Sequence, residues 1–222
     1  MVIRLALVGG SSAFRKARRQ ALESESAISV VYDSDGFGLQ PTDVLDINFD
    51  VLLLEQRLEQ TNAFDFLRAI HGLANSTSVT FGRVLITSQF SENELRLQAI
   101  EAGAVDCIFV SDGLANLVGK VLACAEPESD FGVRELLHEK INLNVNQDQA
   151  QAAIAALSTL NEKERRVLNA YRDLQTDIEI SASVLVSKVR VRETLAKARN
   201  LLLLDTRSQL LLKLHSLGDL AL

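Results

Sequence analysis

From Ser187 to Arg199 the chain reads Ser-Lys-Val-Arg-Val-Arg-Glu-Thr-Leu-Ala-Lys-Ala-Arg, with the bases Lys188, Arg190, Arg192, Lys197 and Arg199 and the acid Glu193. On a helix, Val191, Leu195, Ala198 and Leu202 share one face, and Lys188, Arg192 and Arg199 share another. Ser187 can cap the start, because its hydroxyl accepts from a free backbone N–H of the first turn. An apolar back and a cationic front suit the major groove of DNA. The plainer alternative is a solvated basic face on an ordinary helix. In the DNA reading, Lys188 and Arg192 contact base edges and Glu193 accepts from cytosine N4. Lys197 and Arg199 hold the phosphate backbone, and Arg190 adds to the contact surface.

Other candidate chemistry is sparse. Gly9-Gly10-Ser11-Ser12 follows an apolar run and suggests either a phosphate cradle at a helix N-terminus or a tight strand-to-helix turn. It matches neither GxGxxG nor a Walker loop. His71, His138 and His215 are scattered, and Cys107 and Cys124 lack metal-ligand spacing. No metal site, no catalytic residue and no cofactor is expected. The two cysteines sit in apolar surroundings and read as buried thiols of a reduced, cytoplasmic compartment. No apolar run approaches the ~20 residues of a membrane span, and no secretory signal is apparent.

The 222 residues carry a net charge of −6, unevenly spread. Residues 151–222 hold 11 Lys/Arg against 8 Asp/Glu, whereas residues 1–150 hold 12 against 21. A basic rear and an acidic front imply separate jobs, and local charge is what steers a polyanion.

These residues need elements to position them. Apolar runs at Ile3–Val8, Ala27–Tyr32, Val51–Leu54, Val84–Thr87 and Cys107–Val110 predict five short buried strands. Ala13–Leu22 (a basic amphipathic pattern), Ala63–His71, Glu92–Ala102 and Leu114–Ala125 predict the helices between them. Such alternation implies an α/β domain, a flavodoxin-like five-stranded parallel sheet covered on both faces. Residues 126–149 read as a linker with a short helix at Val133–Glu139. Helices follow at Ala150–Leu157, Asn161–Arg172, Asp177–Val184, Ser187–Leu202 and Thr206–Leu214. Asn161 with Glu164 makes a capping-box start. The expected domains are therefore 1–125, a linker 126–149, and an all-α domain 150–222.

Leu160-Asn161-Glu162-Lys163-Glu164-Arg165-Arg166-Val167-Leu168 resembles the opening of the LuxR/NarL-type helix-turn-helix domain. Glu179-Ile180, Ser187, Val191, Leu195, Leu202 and Arg207 follow in register. The resemblance covers about Leu157–Leu214. It implies that Asp177–Val184 is the first helix of the motif, Ser187–Leu202 its recognition helix, and Thr206–Leu214 a dimer contact. Leu174 and Leu203 stand where the family usually has turn glycines. Leu is costly at positive φ, so those turns should be built differently. Leu201–Leu204 and Leu210–Leu212 expose more Leu than one small domain needs, which favours a second copy as partner.

The front half resembles the receiver domain of response regulators through Ile3–Val8, Phe14-Arg15 and Ala102-Gly103-Ala104. The phosphorylation chemistry that this resemblance calls for is missing. The metal-binding acidic pair is Gly9-Gly10, the phosphoacceptor position is Glu55, the strand-four hydroxyl is Ser88, and the strand-five Lys is Val110. Mg²⁺ needs hard oxygen ligands, and two glycines offer no side-chain oxygen. Without metal and Lys, phosphoryl transfer loses its main charge stabilisation. Glu55 either imitates a phosphorylated Asp by reaching Ser88 or is an ordinary satisfied carboxylate at a strand end.

The expectation is a DNA-binding transcriptional regulator, dimeric, with a degenerate receiver that responds to a protein or small-molecule effector rather than to phosphate. Its partners are double-stranded DNA and a second copy, with no membrane. The alternative is a protein-interaction module in a signalling pathway with a repurposed helical domain. An enzyme or nucleotide binder built on Gly9-Gly10 lacks any supporting acid/base pair or nucleophile.

Overall fold

The computed structural model describes residues 2–90, 93–126, 130–138, 143 and 147–217. Within them the chain forms two compact units, Met1–Gly132 and Val133–Leu222. The first is built on strands β1 (Ile3–Val8), β2 (Ile28–Ser34), β3 (Val51–Glu55), β4 (Arg83–Ser88) and β5 (Asp106–Phe109). All pairings are parallel, in the order β2-β1-β3-β4-β5. The connecting helices are α1 (Ser12–Glu23), α2 (Pro41–Leu45), α3 (Ala63–Thr77), α4 (Asn93–Glu101) and α5 (Gly113–Ala125). This is the flavodoxin-like order expected of five buried strands joined by right-handed crossovers.

Side-chain alternation along the strands divides the core. Ala6, Val8, Leu52, Leu54, Val84 and Ile86 pack on one face with Phe66, Leu67 and Ile70 of α3. Leu5, Leu7, Val51, Leu53 and Leu85 pack on the other with Leu22 of α1 and Val121 of α5. A strand exposed to neither side reads as a continuous apolar run because both of its faces are buried. Asp106 is fully buried at the start of β5, where Arg96 and Lys120 supply two cationic partners, Lys120 at 2.6 Å.

Several expected boundaries change. The short helix α2 was missed: its five residues are too few to show a helical period, although Pro41 sits at its first turn. The α3 helix runs on to Thr77. The expected start of α4 at Glu92 lies outside the described residues. Val110 does not end β5 but opens a 3-10 turn, Val110–Asp112. Inside the expected linker, α6 occupies Phe131–His138 and α7 starts at Gln147. Pro127 and residues 142 and 144–146 of the polar run lie outside the described residues.

The second unit continues with α7 (Gln147–Leu157), α8 (Glu162–Arg172), α9 (Asp177–Val184), α10 (Lys188–Leu201) and α11 (Arg207–Ser216). Every helix from α8 onward has a side-chain N-cap. Asn161 caps α8, Thr176 caps α9, Ser187 caps α10 and Thr206 caps α11, with reciprocal capping boxes at α8, α9 and α11. Tyr171, Ile180, Val191, Leu195, Ala198 and Leu210 are buried between these helices.

Two expectations about this unit fail. Leu210, Leu211 and Leu212 are not a free apolar tail; they are buried in the core of their own unit. The turns lacking glycine are also not rebuilt. Leu174 and Leu203 carry φ of 62° and 54°, and Leu185 after α9 carries 57°. After α10, the Leu203 N–H donates to the Asn200 carbonyl at 3.2 Å and Leu204 N–H to Arg199 at 3.0 Å. After α8, Leu174 N–H donates to Tyr171 and Gln175 N–H to Ala170. These are Schellman turns made with leucine in the left-handed position. Helix packing keeps the turn and the leucine carries the strain.

Candidate functional site

The basic helix α10 is built as its pattern predicts. Ser187 is extended and its hydroxyl accepts from the Arg190 N–H at 3.2 Å. Val191, Leu195 and Ala198 are buried, together with Thr194, and Leu202 is half-buried. Lys188, Arg190, Arg192, Glu193 and Lys197 are exposed, and Arg199 partly so.

The cationic face is not a bare row of charges. Glu164 of α8, nearly buried, binds Lys197 at 3.0 Å and lies 3.6 Å from Arg190. Arg190 also pairs with Glu193 at 3.1 Å, so the residue assigned to cytosine already has an intrahelical partner. Arg192 Nε lies 3.5 Å from Asp177 of α9. Asp177 in turn takes the fork of Arg207, whose guanidinium lies 4.7 Å over the Tyr171 ring. The Glu164 carboxyl is held below the usual range, chiefly by the Asn161 backbone N–H and then by Lys197. Burial works to raise the Asp177 carboxyl, but Arg207 and Arg192 outweigh it and the net shift is downward.

At the carboxyl end of the sheet, Glu55, Gly9, Gly10 and Ser88 come together, whereas Val110 sits 41% exposed in its 3-10 turn. Glu55 does not reach Ser88. Its Oε2 accepts from Arg18 Nη1 at 2.8 Å and from the Thr87 hydroxyl at 2.9 Å. Ser88 donates instead to Gln56 Oε1 at 2.6 Å. The Arg18 and Glu55 side chains are each only 7% exposed, and Arg18 also lies 4.1 Å over the Phe14 ring. Arg18, one of the cations of the basic amphipathic pattern of α1, faces inward, where Glu55 neutralises it.

The glycines belong to this arrangement. Gly9 and Gly10 have φ of 94° and 82°, and a Cβ on Gly9 would stand 2.5 Å from the Glu55 Cβ. A divalent metal does not fit here. The two glycines supply no side-chain oxygen, Arg15 already donates to the Gly10 carbonyl, and the fixed Arg18 guanidinium already pairs with the Glu55 carboxylate. Beside the pair lies a cleft of about 230 Å³ lined by Gly10, Phe14, Gln56, Arg57, Gln89 and Phe90.

No family model matches the chain, and no curated protein matches it. Solved structures do. A LuxR-family two-component response regulator from Aurantimonas sp. SI85-9A1 is 19% identical, with a TM-score of 0.51 over 64% of this chain and 100% of that one. RcsB from Salmonella enterica serovar Typhimurium, bound to promoter rprA in the presence of phosphomimetic BeF3-, is 14% identical. Its TM-score is 0.50, over 97% of this chain and 99% of that one. The chain has the receiver-plus-helix-turn-helix fold of the LuxR/NarL-type response regulators.

The Glu55 carboxylate at the end of β3 is thus already committed to an internal cation. Sequence reasoning missed Arg18 and Thr87 there, and it missed that Glu164, Asp177 and Arg207 form the surroundings of α10, although it had read Glu164 as a capping-box residue and Arg207 as a position in register. Thr87 had a signal, since a residue pairing with Glu55 across β3 and β4 is in register to meet it. The contacts of Arg18, Glu164, Asp177 and Arg207 join separate helices and strands and gave none.

Proposed function

We propose that the chain is a DNA-binding transcriptional regulator that works as a dimer and whose receiver-like domain operates without phosphorylation. The observation that carries the DNA reading is α10: a capped helix with a buried apolar back and exposed Lys188, Arg192 and Lys197. Lys188 and Arg192 contact base edges, and Lys197, Arg199 and Arg190 serve the backbone and the fit of the surface. Residues 1–125 act as the receiver-like domain and 150–222 as the DNA-binding domain. No helix among the described residues is long and apolar enough to cross a membrane.

The absence of phosphate control rests on the Arg18–Glu55 pair and on Gly9, Gly10 and Val110. An effector, protein or small molecule, then replaces the phosphoryl group as the input. Dimeric recognition calls for half-sites about one helical turn apart. Selection from a random DNA pool, repeated across salt concentrations, tests the reading. Affinity should fall steeply with salt, and Arg192→Ala should weaken binding to the selected sequence. Salt-independent binding sinks the DNA reading, and an unchanged Arg192→Ala sinks the residue assignment.

The second reading is a protein-interaction module in a signalling pathway. It draws on the internal acids that partly neutralise Arg190, Arg192 and Lys197, and on exposed Ile178, Leu185 and Leu203. Retention on a DNA column at low salt separates the two.

A further inference from the structure

Asp177 occupies the first turn of α9, and its carboxylate meets two arginines from different helices. Arg207 of α11 engages both carboxylate oxygens, Nη1 reaching Oδ2 at 3.2 Å and Nη2 reaching Oδ1. Arg207 is itself fixed: its Nε lies 3.3 Å from the Tyr171 hydroxyl, and the Tyr171 ring is fully buried. The Asp177 side chain is 16% exposed, whereas that of Arg192 is 51% exposed. The carboxylate is thus a clamped, half-buried charge beneath an exposed cationic one.

Arg192 meets it through Nε at 3.5 Å. A contact through Nε leaves the two terminal nitrogens, the pair that matches O6 and N7 of a guanine. At 3.5 Å the attraction is weak. It narrows the directions open to a long side chain without tying up the fork. Ordering a reader before it meets its target lowers the entropy lost on binding. The same negative charge also subtracts from the attraction to phosphates, which is blind to sequence.

We propose that Asp177 is a positioning residue for DNA readout: clamped by Arg207, it aims Arg192 at a base pair and exchanges non-specific affinity for sequence discrimination. This rests on the DNA-binding reading above. It makes Asp177 a determinant of specificity although it need not touch a base.

The test uses the full chain with two duplexes, one enriched by the wild type from a random pool and one random. Asp177→Asn should bind the random duplex more tightly, with a salt slope steeper by about one unit. It should also lose roughly 3- to 10-fold of discrimination at one base pair, a part of what one bidentate arginine supplies. In an Arg192→Ala background, Asp177→Asn should cause no further loss of discrimination. A loss that persists there makes Asp177 merely structural and overturns the proposal. Should Asp177→Asn fail to fold, Asp177→Glu carries the test. It keeps the charge for Arg207 but displaces the carboxylate, so discrimination should fall while the salt slope stays. Wild-type discrimination in either folded variant overturns the positioning role and leaves DNA binding intact. A wild type that enriches no sequence overturns both.

Discussion

Leu203 is the sharpest place to test the energetics of this fold. It is 90% exposed and holds φ at 54° in the turn after α10. The left-handed region costs an L-residue with a Cβ roughly 1–2 kcal/mol. Leu203→Gly removes that strain and gives up little burial. Against it stands the greater freedom of glycine in the unfolded chain, about 0.4–1 kcal/mol. The net expectation is a gain of about 0.5–1 kcal/mol. In a helical unit of this size that raises the melting temperature by roughly 3–6 °C. Urea denaturation followed by circular dichroism measures it, with Leu203→Ala as the control. Alanine keeps the Cβ and therefore the strain, so it should bring no comparable gain. The midpoint should move with m unchanged, since no surface is newly buried. If Leu203→Gly is no more stable than Leu203→Ala, the left-handed leucine is not strained as argued.

Removing one partner of the buried Arg18–Glu55 pair should be severe: Arg18→Met leaves Glu55 without its cation and should cost about 3–5 kcal/mol. Arg18→Met with Glu55→Leu should recover much of that in a denaturation midpoint, and no recovery would count against the pair as the reason. Incubation with acetyl phosphate and Mg²⁺ should leave Glu55 unmodified, and an acid-labile acyl phosphate on it by mass spectrometry would overturn the phosphate-independent reading. The helical unit should lose stability in two stages on acidification. Burial holds the His215 imidazole below its ordinary value, so its contribution is full above about pH 6.5 and declines as pH falls below that. The Glu164 and Asp177 carboxyls are also held low, so theirs is full above about pH 4.5 and is lost as pH falls through the depressed values. Melting temperature against pH should show both stages, and His215→Gln should remove the first.

Much of this protein is legible without a structure. Runs such as Val51–Leu54 announce strands buried on both faces, because a parallel sheet under helices allows no polar alternation. Asn161 and Ser187 mark helix starts, because a side-chain oxygen three residues before a free N–H is a local device. The absence of side-chain oxygen at Gly9-Gly10 and of a Lys at Val110 is likewise written in the residue types. These properties depend on neighbours along the chain or on chemistry alone.

What Glu55 binds was decided only by tertiary packing. Its cation, Arg18, lies 37 residues away on a helix that the sequence showed only as basic and amphipathic. Glu55 is the satisfied carboxylate of the second of its two readings, and Ser88, its partner in the first, donates to Gln56 while Thr87 pairs with Glu55 in the sheet register. Leu210–Leu212 looked like a surface for a second copy, but α11 folds them into its own unit. The leucines at positive φ show the same hierarchy: local backbone preference argued against those turns, and packing of whole helices outweighed it. Even α10 is shared between levels. Its cations are read from the sequence, while the acids that hold them, Glu164 and Asp177, come from two other helices that only the fold brings near.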